Sequence, residues 1–126
     1  LVRSRGLGDV YKRQVTIDEQ DIFNVTMNES LAVALLTNLL KNAFVHNIDG
    51  GHIRITVTKN SITFRNSGVE NPLDKEHIFE RFYQGTKKEG STGLGLAIAD
   101  SICRLQHLSI RYYFEQKEHC FEISRQ

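Results

Sequence analysis

Before residue 66, four segments of the chain alternate apolar and polar residues with a period of two, which predicts β-strands. Two of them, Gln14 to Asp18 and Ile22 to Met27, lie near the start on either side of a polar turn. The next two, His52 to Thr58 and Ile62 to Arg65, flank a short polar segment typical of a hairpin turn. The alternation returns near the end of the chain and predicts a closing hairpin over Gln116 to Glu118, with apolar positions at Leu108, Ile110, Tyr112, Phe114, Phe121 and Ile123.

Helices are predicted between these strands. The first long helix runs from Glu29 to about His46 and follows Asn28, a favourable N-cap residue. A short helix is predicted from Lys75 to Tyr83, residues 84–92 form a polar loop, and a second long helix runs from about Gly93 to Leu105. Helices mixed with strands that are joined by hairpins indicate an α+β domain with a largely antiparallel sheet.

The first long helix carries amides along one margin of its apolar stripe. Asn38, Asn42 and His46 are spaced four residues apart and therefore lie on one edge. A buried amide without a partner costs about 1–3 kcal/mol, so these side chains need hydrogen bonds or a cavity. One such asparagine would more simply hold a neighbouring loop, but two aligned ones favour a polar ligand or a hydrated cation. The stripe itself consists of Leu35, Leu36, Leu39, Leu40 and Ala43.

Glycines stand immediately before the second long helix. Gly93 and Gly95 would let the backbone approach an anion closely, and a helix N-terminus suits phosphate. The segment matches neither a Walker loop nor a dinucleotide-binding fingerprint. A flexible loop followed by a helix start explains this motif, taken alone, equally well.

Two further motifs lie between the helices. Asn66-Ser67-Gly68 ends a predicted strand, where a carboxamide can accept from an adenine amino group and donate to a ring nitrogen. A simple turn is the alternative interpretation. Phe79 and Phe82 are three residues apart in the short helix and would ordinarily cover the sheet as core residues, with a role beside a lid as the second interpretation.

Composition limits the classes of protein. The 126 residues are 40 % apolar and 25 % charged with a formal net charge of +1, which fits one soluble domain and gives no reason to expect nucleic-acid or membrane binding. The longest apolar run, Leu31 to Leu36, has six residues, whereas a bilayer span needs about 20. The two cysteines, Cys103 and Cys120, fit a reducing cytosol, so we expect a cytoplasmic location.

Residues 1–14 differ from the rest of the chain. They are basic, show no clear periodicity, and resemble a translated sequencing adapter, although a basic surface arm is the alternative interpretation. We therefore leave them out of the fold prediction, assign the domain to residues 15–126, and expect the natural protein to continue upstream. Without them the chain has 12 basic and 14 acidic residues, a net charge of −2.

Taken in order, the motifs resemble the ATP-binding catalytic domain of bacterial two-component sensor histidine kinases. The segment from Asn38 to Ala43 is similar to their N box, Asn66 to Gly68 to their first glycine box, Ile78 to Tyr83 to their F box, and Thr92 to Ile98 to their second glycine box. The resemblance covers about residues 22–125. It implies the Bergerat fold, also found in gyrase and in heat-shock chaperone ATPases: a two-layer α/β sandwich with helices on one face of a mixed, largely antiparallel sheet.

The resemblance also implies ATP and Mg²⁺ as cofactors and assigns parts of the site. Asn42 would coordinate Mg²⁺ and, with Asn38, form the catalytic pair, while His46 would lie near the nucleotide. Asn66 would read adenine beside Gly68. Residues 84–92 would be the ATP lid. The remaining nucleotide-binding positions are Phe82, Lys87, Lys88, Thr92, Gly93, Leu94, Gly95 and Leu96, and Phe79 with Phe82 would link the lid to a neighbouring helical domain.

In this class the γ-phosphoryl group of ATP passes to a histidine on a separate dimerisation domain and then to a response regulator. No histidine here has the sequence context of an acceptor, so the chain should not phosphorylate itself and should act in trans as a monomer. The five candidates are His46, His52, His77, His107 and His119. A cytoplasmic part of a membrane-bound sensor is compatible with this class.

Some positions depart from the family pattern. Asn66 stands where the family usually has Asp, Glu70 replaces a glycine, Ser91 replaces another, and Val45 replaces a Lys or Arg. Asn66, Glu70 and Val45 favour one alternative, a catalytically silent domain that binds a partner and binds nucleotide weakly or not at all. A second alternative is a serine kinase of the anti-sigma type, which has the same fold but lacks a segment like Ile78 to Tyr83.

Overall fold

The computed structural model describes residues 14–83 and 93–126. Within them the strands form one mixed sheet in the order β1-β2-β3-β5-β4, in which β1 is parallel to β2 and the other neighbours are antiparallel. The elements in chain order are β1 (Gln14–Glu19), α1 (Glu29–Val45), β2 (His52–Val57), β3 (Ser61–Asn66), α2 (Gly95–Leu105), β4 (Leu108–Glu115) and β5 (Glu118–Arg125).

Both helices pack on one face of the sheet, which confirms the predicted two-layer α+β fold. Leu39 of α1 and Ala99 of α2 are almost fully buried above a row of side chains that runs across the strands. The strand registers place four core residues in that row: Ile55, Phe64, Phe121 and Tyr112. The alternation in the sequence therefore has a direct cause, because only one face of the sheet is covered.

Helix α1 begins where its N-cap residue predicts. Asn28 is extended and its Oδ1 accepts the backbone N–H of Leu31 at 3.1 Å, which satisfies one of the free donors of the first turn. Glu29 adds negative charge at the positive end of the helix dipole. Helix α2 begins at Gly95, two residues later than the expected start near Gly93.

The closing hairpin turns over two residues with left-handed backbone. Gln116 has φ of 52° and Lys117 has φ of 62°, and the flanking residues Glu115 and Glu118 are paired. Positive φ at both central positions matches the right-handed twist of the two strands, as in type I′ turns.

The strand expected from Ile22 to Met27 is absent, and this prediction was wrong. Phe23, Val25 and Met27 are partly buried against the core, so their alternation reflects packing. The backbone of this segment is bonded to a side chain and not to a neighbouring strand, since the Arg125 guanidinium donates to the Asn24 carbonyl oxygen at 2.9 Å. Alternation reports which side chains are buried, and it does not require a neighbouring strand.

Two helical predictions also need correction. Residues 75–83 form successive turns, with backbone hydrogen bonds from His77 to Asp74 and from Glu80 to His77, and no α-helix. In α1, Leu36 is 41 % exposed although it was assigned to the core stripe. The buried side of α1 is narrower than the predicted stripe and consists of Leu35, Leu39 and Ala43.

The two cysteines are free and buried, and burial raises the pKa of each thiol to about 11. Such thiols stay protonated and unreactive at neutral pH. Neither described helix has the length and apolar character needed to cross a bilayer.

Replacing Leu39 with alanine should lower the free energy of unfolding by about 2–5 kcal/mol, because the side chain is 1 % exposed and its loss leaves a cavity. The matched control is Leu36→Ala on the same helix, which should cost about 1 kcal/mol or less. Urea unfolding followed by circular dichroism measures both. Equal losses for the two variants would contradict this description of the core.

Candidate functional site

The amide margin of α1 contacts the start of α2. Asn38 is half-buried, and its Nδ2 donates to the Ala34 carbonyl oxygen at 2.8 Å. Its Oδ1 lies on the side of the neighbouring helix, since a Cβ atom placed on Gly95 would be 3.1 Å from it. Two motifs more than fifty residues apart in the sequence therefore meet at this point, and the small size of glycine allows the contact.

Asn42 and His46 follow on the same margin. Asn42 is half-buried, and no hydrogen bond joins its side chain to another described residue. His46 ends the helix, with its backbone N–H directed to the Asn42 carbonyl oxygen at 3.1 Å. The His46 carbonyl oxygen would be 2.8 Å from a Cβ atom on Gly68, so the end of α1 lies against the first glycine motif.

Asn66 lies at the end of β3 with its side chain on the core face. It is 2 % exposed, and its Nδ2 donates to the Ser67 carbonyl oxygen at 2.8 Å. That bond fixes the orientation of the amide and leaves Oδ1 as the remaining polar atom. Within the described residues, Asn66 Oδ1 is the one buried side-chain polar atom that has no hydrogen-bond partner. An acceptor of this kind is costly unless a ligand or water satisfies it.

A second buried amide holds the end of β3 against α1. Asn47 accepts from the Ser67 hydroxyl at 2.6 Å and from the Ile48 N–H at 2.8 Å through Oδ1, and donates from Nδ2 to the His52 carbonyl oxygen at 2.9 Å. Gly51 fits inside this group, since a Cβ atom there would be 2.1 Å from Asn47 Oδ1. Both the oxygen and the nitrogen of the Asn47 amide are hydrogen-bonded within the domain, so we assign this side chain a structural role.

A buried histidine supports the loop that follows Asn66. His119 is the register partner of Asn66 on β5, and its Nε2 is 2.7 Å from the Val69 carbonyl oxygen. Its Nδ1 is 2.7 Å from the Tyr112 hydroxyl, which also accepts the Leu73 N–H at 2.9 Å. A carbonyl oxygen only accepts, so Nε2 carries the proton and Nδ1 accepts the hydroxyl proton of Tyr112.

The ionisation of this pair follows from its surroundings. Burial lowers the pKa of His119, and the hydrogen bond to Val69 opposes that change only in part. Burial raises the pKa of Tyr112, while the hydrogen bond from Leu73 lowers it to a lesser extent. Both side chains are therefore neutral at pH 7, in the states that their hydrogen bonds require.

The predicted site residues do not include Asn47, Tyr112 or His119. Tyr112 and His119 could have been placed on the core face by extending the period-two pattern of their strands, because His119 alternates with Phe121 and Ile123. Their contact with the loop after Asn66 has no sequence signal. Asn47 lies just beyond the helix end, where no periodicity applies.

The glycine motif before α2 touches the aromatic motif. Gly93 has φ of +74°, and a Cβ atom on it would be 2.7 Å from Phe82 Cα. The Phe82 N–H donates to the Gly93 carbonyl oxygen at 2.6 Å. Both the positive φ and the backbone contact require glycine at this position. Phe82 and Gly93 thereby bring together the chain on either side of residues 84–92.

The first turn of α2 differs from that of α1. Its N-cap residue is Leu94, which offers no side-chain hydrogen bond to the first-turn N–H groups. Gly95 and Leu96 follow as the first helical residues. Helix N-termini of this kind carry partial positive charge and bind anions.

The two aromatic residues of the third motif have different environments. Phe79 is half-buried and meets Phe121 edge to face, with ring centroids 6.2 Å apart, as expected for a core residue. Phe82 is 65 % exposed, which is not what the core interpretation predicts. The Arg81 guanidinium lies 5.3 Å from its ring centroid.

Several candidate residues lie outside the described residues. They are Lys87, Lys88 and Thr92, together with the remainder of the expected lid at 84–92. Residues 1–13 also lie outside, so the adapter-like interpretation of the first segment stays a prediction.

One exposed cluster of acidic residues and a histidine lies next to the aromatic motif. His77 Nδ1 is 2.5 Å from Asp74 Oδ2, and Glu76 is close to both. The hydrogen bond from His77 lowers the pKa of Asp74, and the same bond raises the pKa of His77. The two residues stabilise each other's charge within this turn.

Comparisons with known proteins support the family that the motifs indicate. Residues 27–124 match the family described as histidine kinase-, DNA gyrase B-, and HSP90-like ATPase. The sensor histidine kinase RppB of Synechocystis is 43 % identical over 84 residues, which is 60 % of this chain and 18 % of that protein. The heme sensor protein HssS of Staphylococcus aureus is 35 % identical over 117 residues, which is 89 % of this chain and 26 % of that protein.

Solved structures share the fold. The catalytic domain of histidine kinase ThkA superposes with a TM-score of 0.77 at 24 % identity, covering 90 % of this chain and 78 % of that one. The mycobacterial sensor histidine kinase MprB gives 0.78 at 18 % identity, covering 90 % and 85 %. A crystal structure of ThkA in complex with the response regulator TrrA gives 0.72 at 22 % identity, covering 90 % and 34 %.

The chain spans about a quarter or less of the length of these curated relatives. The match nevertheless extends from the end of the segment before α1 to the last strand, and includes all four motifs. The chain therefore belongs to the family of histidine kinase-, DNA gyrase B- and HSP90-like ATPases, and within it to the ATP-binding catalytic domains of sensor histidine kinases.

Proposed function

We propose that this chain binds ATP with Mg²⁺ and donates the γ-phosphoryl group to a histidine of a separate dimerisation and phosphoacceptor domain. The observation that carries the proposal is the approach of Asn38 to Gly95, where a Cβ atom would be 3.1 Å from the amide oxygen. This contact joins the amide margin of α1 to the N-terminus of α2. An amide edge beside a helix N-terminus suits a metal–phosphate group, which needs both oxygen ligands and N–H donors.

The adenine base of the nucleotide would suit the unpaired side-chain oxygen of Asn66. Its Oδ1 is an acceptor without a partner among the described residues, and its Nδ2 is already engaged with Ser67. Adenine presents an amino group at C6, which can donate to such an oxygen. The Asn present here thus retains the acceptor that an Asp would supply, which favours nucleotide binding over the silent alternative.

Magnesium fits the side chain of Asn42. That amide is half-buried, lies one turn beyond Asn38, and has no hydrogen bond to another described residue. Mg²⁺ prefers oxygen ligands and usually retains several waters, which Asn38 and His46 could orient from the same margin. Bound magnesium would supply charge neutralisation at the phosphates.

The triphosphate would lie at the start of α2. Backbone N–H groups from Gly93 to Leu96 and the positive end of the helix dipole are the donors that we assign to it. Lys87, Lys88 and Thr92 are further candidates on the basis of the resemblance. Phosphoryl transfer depends mainly on such positioning and charge stabilisation.

The acceptor histidine would be on another domain. Three of the histidines here are hydrogen-bonded within the domain: the exposed His52 with Glu118 at 2.7 Å, the exposed His77 with Asp74 at 2.5 Å, and the buried His119 with Tyr112 at 2.7 Å. A response regulator is the proposed downstream partner, in line with the complex solved for ThkA.

Replacing Asn42 with alanine should weaken binding of a fluorescent ATP analogue about tenfold or more in Mg²⁺, because the proposed metal ligand is lost. In EDTA the variant and the original chain should bind alike. Thr37→Ala, an exposed change on the same helix, is the control and should bind normally. Equal binding by Asn42→Ala and the original chain in Mg²⁺ would refute the assignment of the metal ligand.

Incubation with radiolabelled ATP and a histidine-bearing dimerisation domain should label that domain and leave the 126-residue chain unlabelled. The phosphoryl group should be lost in acid and retained in base, as expected for phosphohistidine. An acid-stable product would favour the serine kinase alternative. Absence of saturable, Mg²⁺-dependent nucleotide binding would favour the silent domain.

A further inference from the structure

The loop from Ser67 to Leu73 is held at two points, Val69 and Leu73, by two core side chains. His119 Nε2 donates to the Val69 carbonyl oxygen at 2.7 Å, and the Tyr112 hydroxyl accepts the Leu73 N–H at 2.9 Å. The hydroxyl and the imidazole are themselves joined at 2.7 Å. One continuous chain of hydrogen bonds therefore runs from Leu73 through β4 and β5 back to Val69.

This chain of bonds lies directly beside the base-reading residue. His119 pairs with Asn66 across β3 and β5, and a Cβ atom on Gly68 would be 3.1 Å from His119 Cδ2. Gly68 is at the same time packed against the His46 carbonyl oxygen. The imidazole thus contacts the backbone that follows Asn66 at Gly68 and at Val69.

His119 and Tyr112 carry polar atoms that the packing of the core does not require. His119 is 4 % exposed and Tyr112 is 6 % exposed; the two rings stack on each other, and they pack at a tilt against Phe114 and Phe121 respectively. Apolar side chains would fill that space without the cost of burying polar atoms. What the polar atoms add is directional attachment of the loop.

We propose that His119 and Tyr112 are positioning residues for the nucleotide base: they hold loop 67–73 so that Asn66 Oδ1 is presented to the amino group of adenine. The inference rests on the proposed function. It adds two residues, outside the four motifs, to the determinants of base selectivity.

The test compares ATP with inosine triphosphate, whose C6 oxygen replaces the amino group and opposes Asn66 Oδ1. The original chain should prefer ATP by about fivefold or more, the equivalent of one hydrogen bond. Tyr112→Phe keeps the ring and removes both hydroxyl bonds, so the preference should fall to about twofold or less. Affinities are measured by competition against a fluorescent analogue in Mg²⁺ at pH 7.5.

Two histidine variants and one control refine the test. His119→Gln retains a donor for Val69 and should keep more of the preference than His119→Leu, which retains none. Tyr113→Phe is the matched control, since Tyr113 is the next residue on β4, faces the other side of the sheet and contacts Arg65 and Arg111. It should leave the preference unchanged. Circular dichroism melting identifies any variant that fails to fold. If His119→Leu does not fold, Tyr112→Phe and His119→Gln still provide the test.

The outcomes separate the two proposals. If the original chain binds neither nucleotide, the proposed function fails and the inference falls with it. A second outcome is that the original chain prefers ATP and the folded variants bind both nucleotides more weakly by the same factor. The preference is then intact, the pair is merely structural, and the inference alone is overturned. A preference that collapses in Tyr112→Phe and persists in Tyr113→Phe supports it.

Protonation of His119 gives a second readout. The titratable side chain bonded to the imidazole is Tyr112 on β4, and what lies beyond Gly68 is the backbone carbonyl oxygen of His46 at the end of α1. The adjacent Glu118 faces the other side of the sheet, bonded to His52 and Arg54. The pKa of His119 is lowered by burial, so its contribution to stability is complete above the ordinary value near 6.5 and is lost as pH falls through the folded value. The unfolding midpoint of the original chain should decline below about pH 6.5, and that of His119→Gln should decline less. Equal declines in the two chains would contradict the role of the His119 imidazole in holding the loop.

Discussion

The close contact between α1 and α2 at Asn38 and Gly95 is the constraint on which the site depends. Two helices that share one face of a sheet must pack against each other as well as against the strands. At this crossing a larger residue than glycine would push the helices apart, because the Asn38 amide oxygen already lies 3.1 Å from the position of a Cβ atom. The first turn of α2 therefore comes to lie beside the amide margin of α1, where N–H donors and amide oxygens can act on one ligand.

The site is completed by polar groups that fix the end of β3. Asn47 holds Ser67 and the His52 backbone on one side, and His119 with Tyr112 holds the following loop on the other. These groups are buried and satisfied, whereas Asn66 Oδ1 between them is buried and unsatisfied among the described residues. In the proposed site, a rigid frame around one unpaired acceptor would suit recognition of a base, because little further ordering would be needed when the ligand binds.

The opposite face of the sheet carries paired charges in place of helices. Burial raises the pKa of the Glu118 carboxyl, but hydrogen bonds from His52 and Arg54 outweigh this and keep its pKa below the usual range. Arg111 pairs with Glu122 at 2.6 Å, and this bond raises the pKa of its guanidinium. These ion pairs are therefore satisfied within the domain, and the residues of the proposed nucleotide site lie on the helical side.

The sequence by itself determined the covered face of β2 to β5, the start of α1 at its Asn28 cap, and the four motifs that identify the family. These features follow from local periodicity and local chemistry, which a linear pattern records directly. Tertiary structure alone decided that residues 22–27 pack without forming a strand and that Leu36 is partly exposed, because burial and strand pairing depend on neighbours distant in the chain. It also decided the partnership of His119 with Val69, fifty residues away, and of Tyr112 with Leu73, thirty-nine residues away. Hydrogen bonds over such separations exist only after the sheet has aligned its strands, so no local pattern could have specified them.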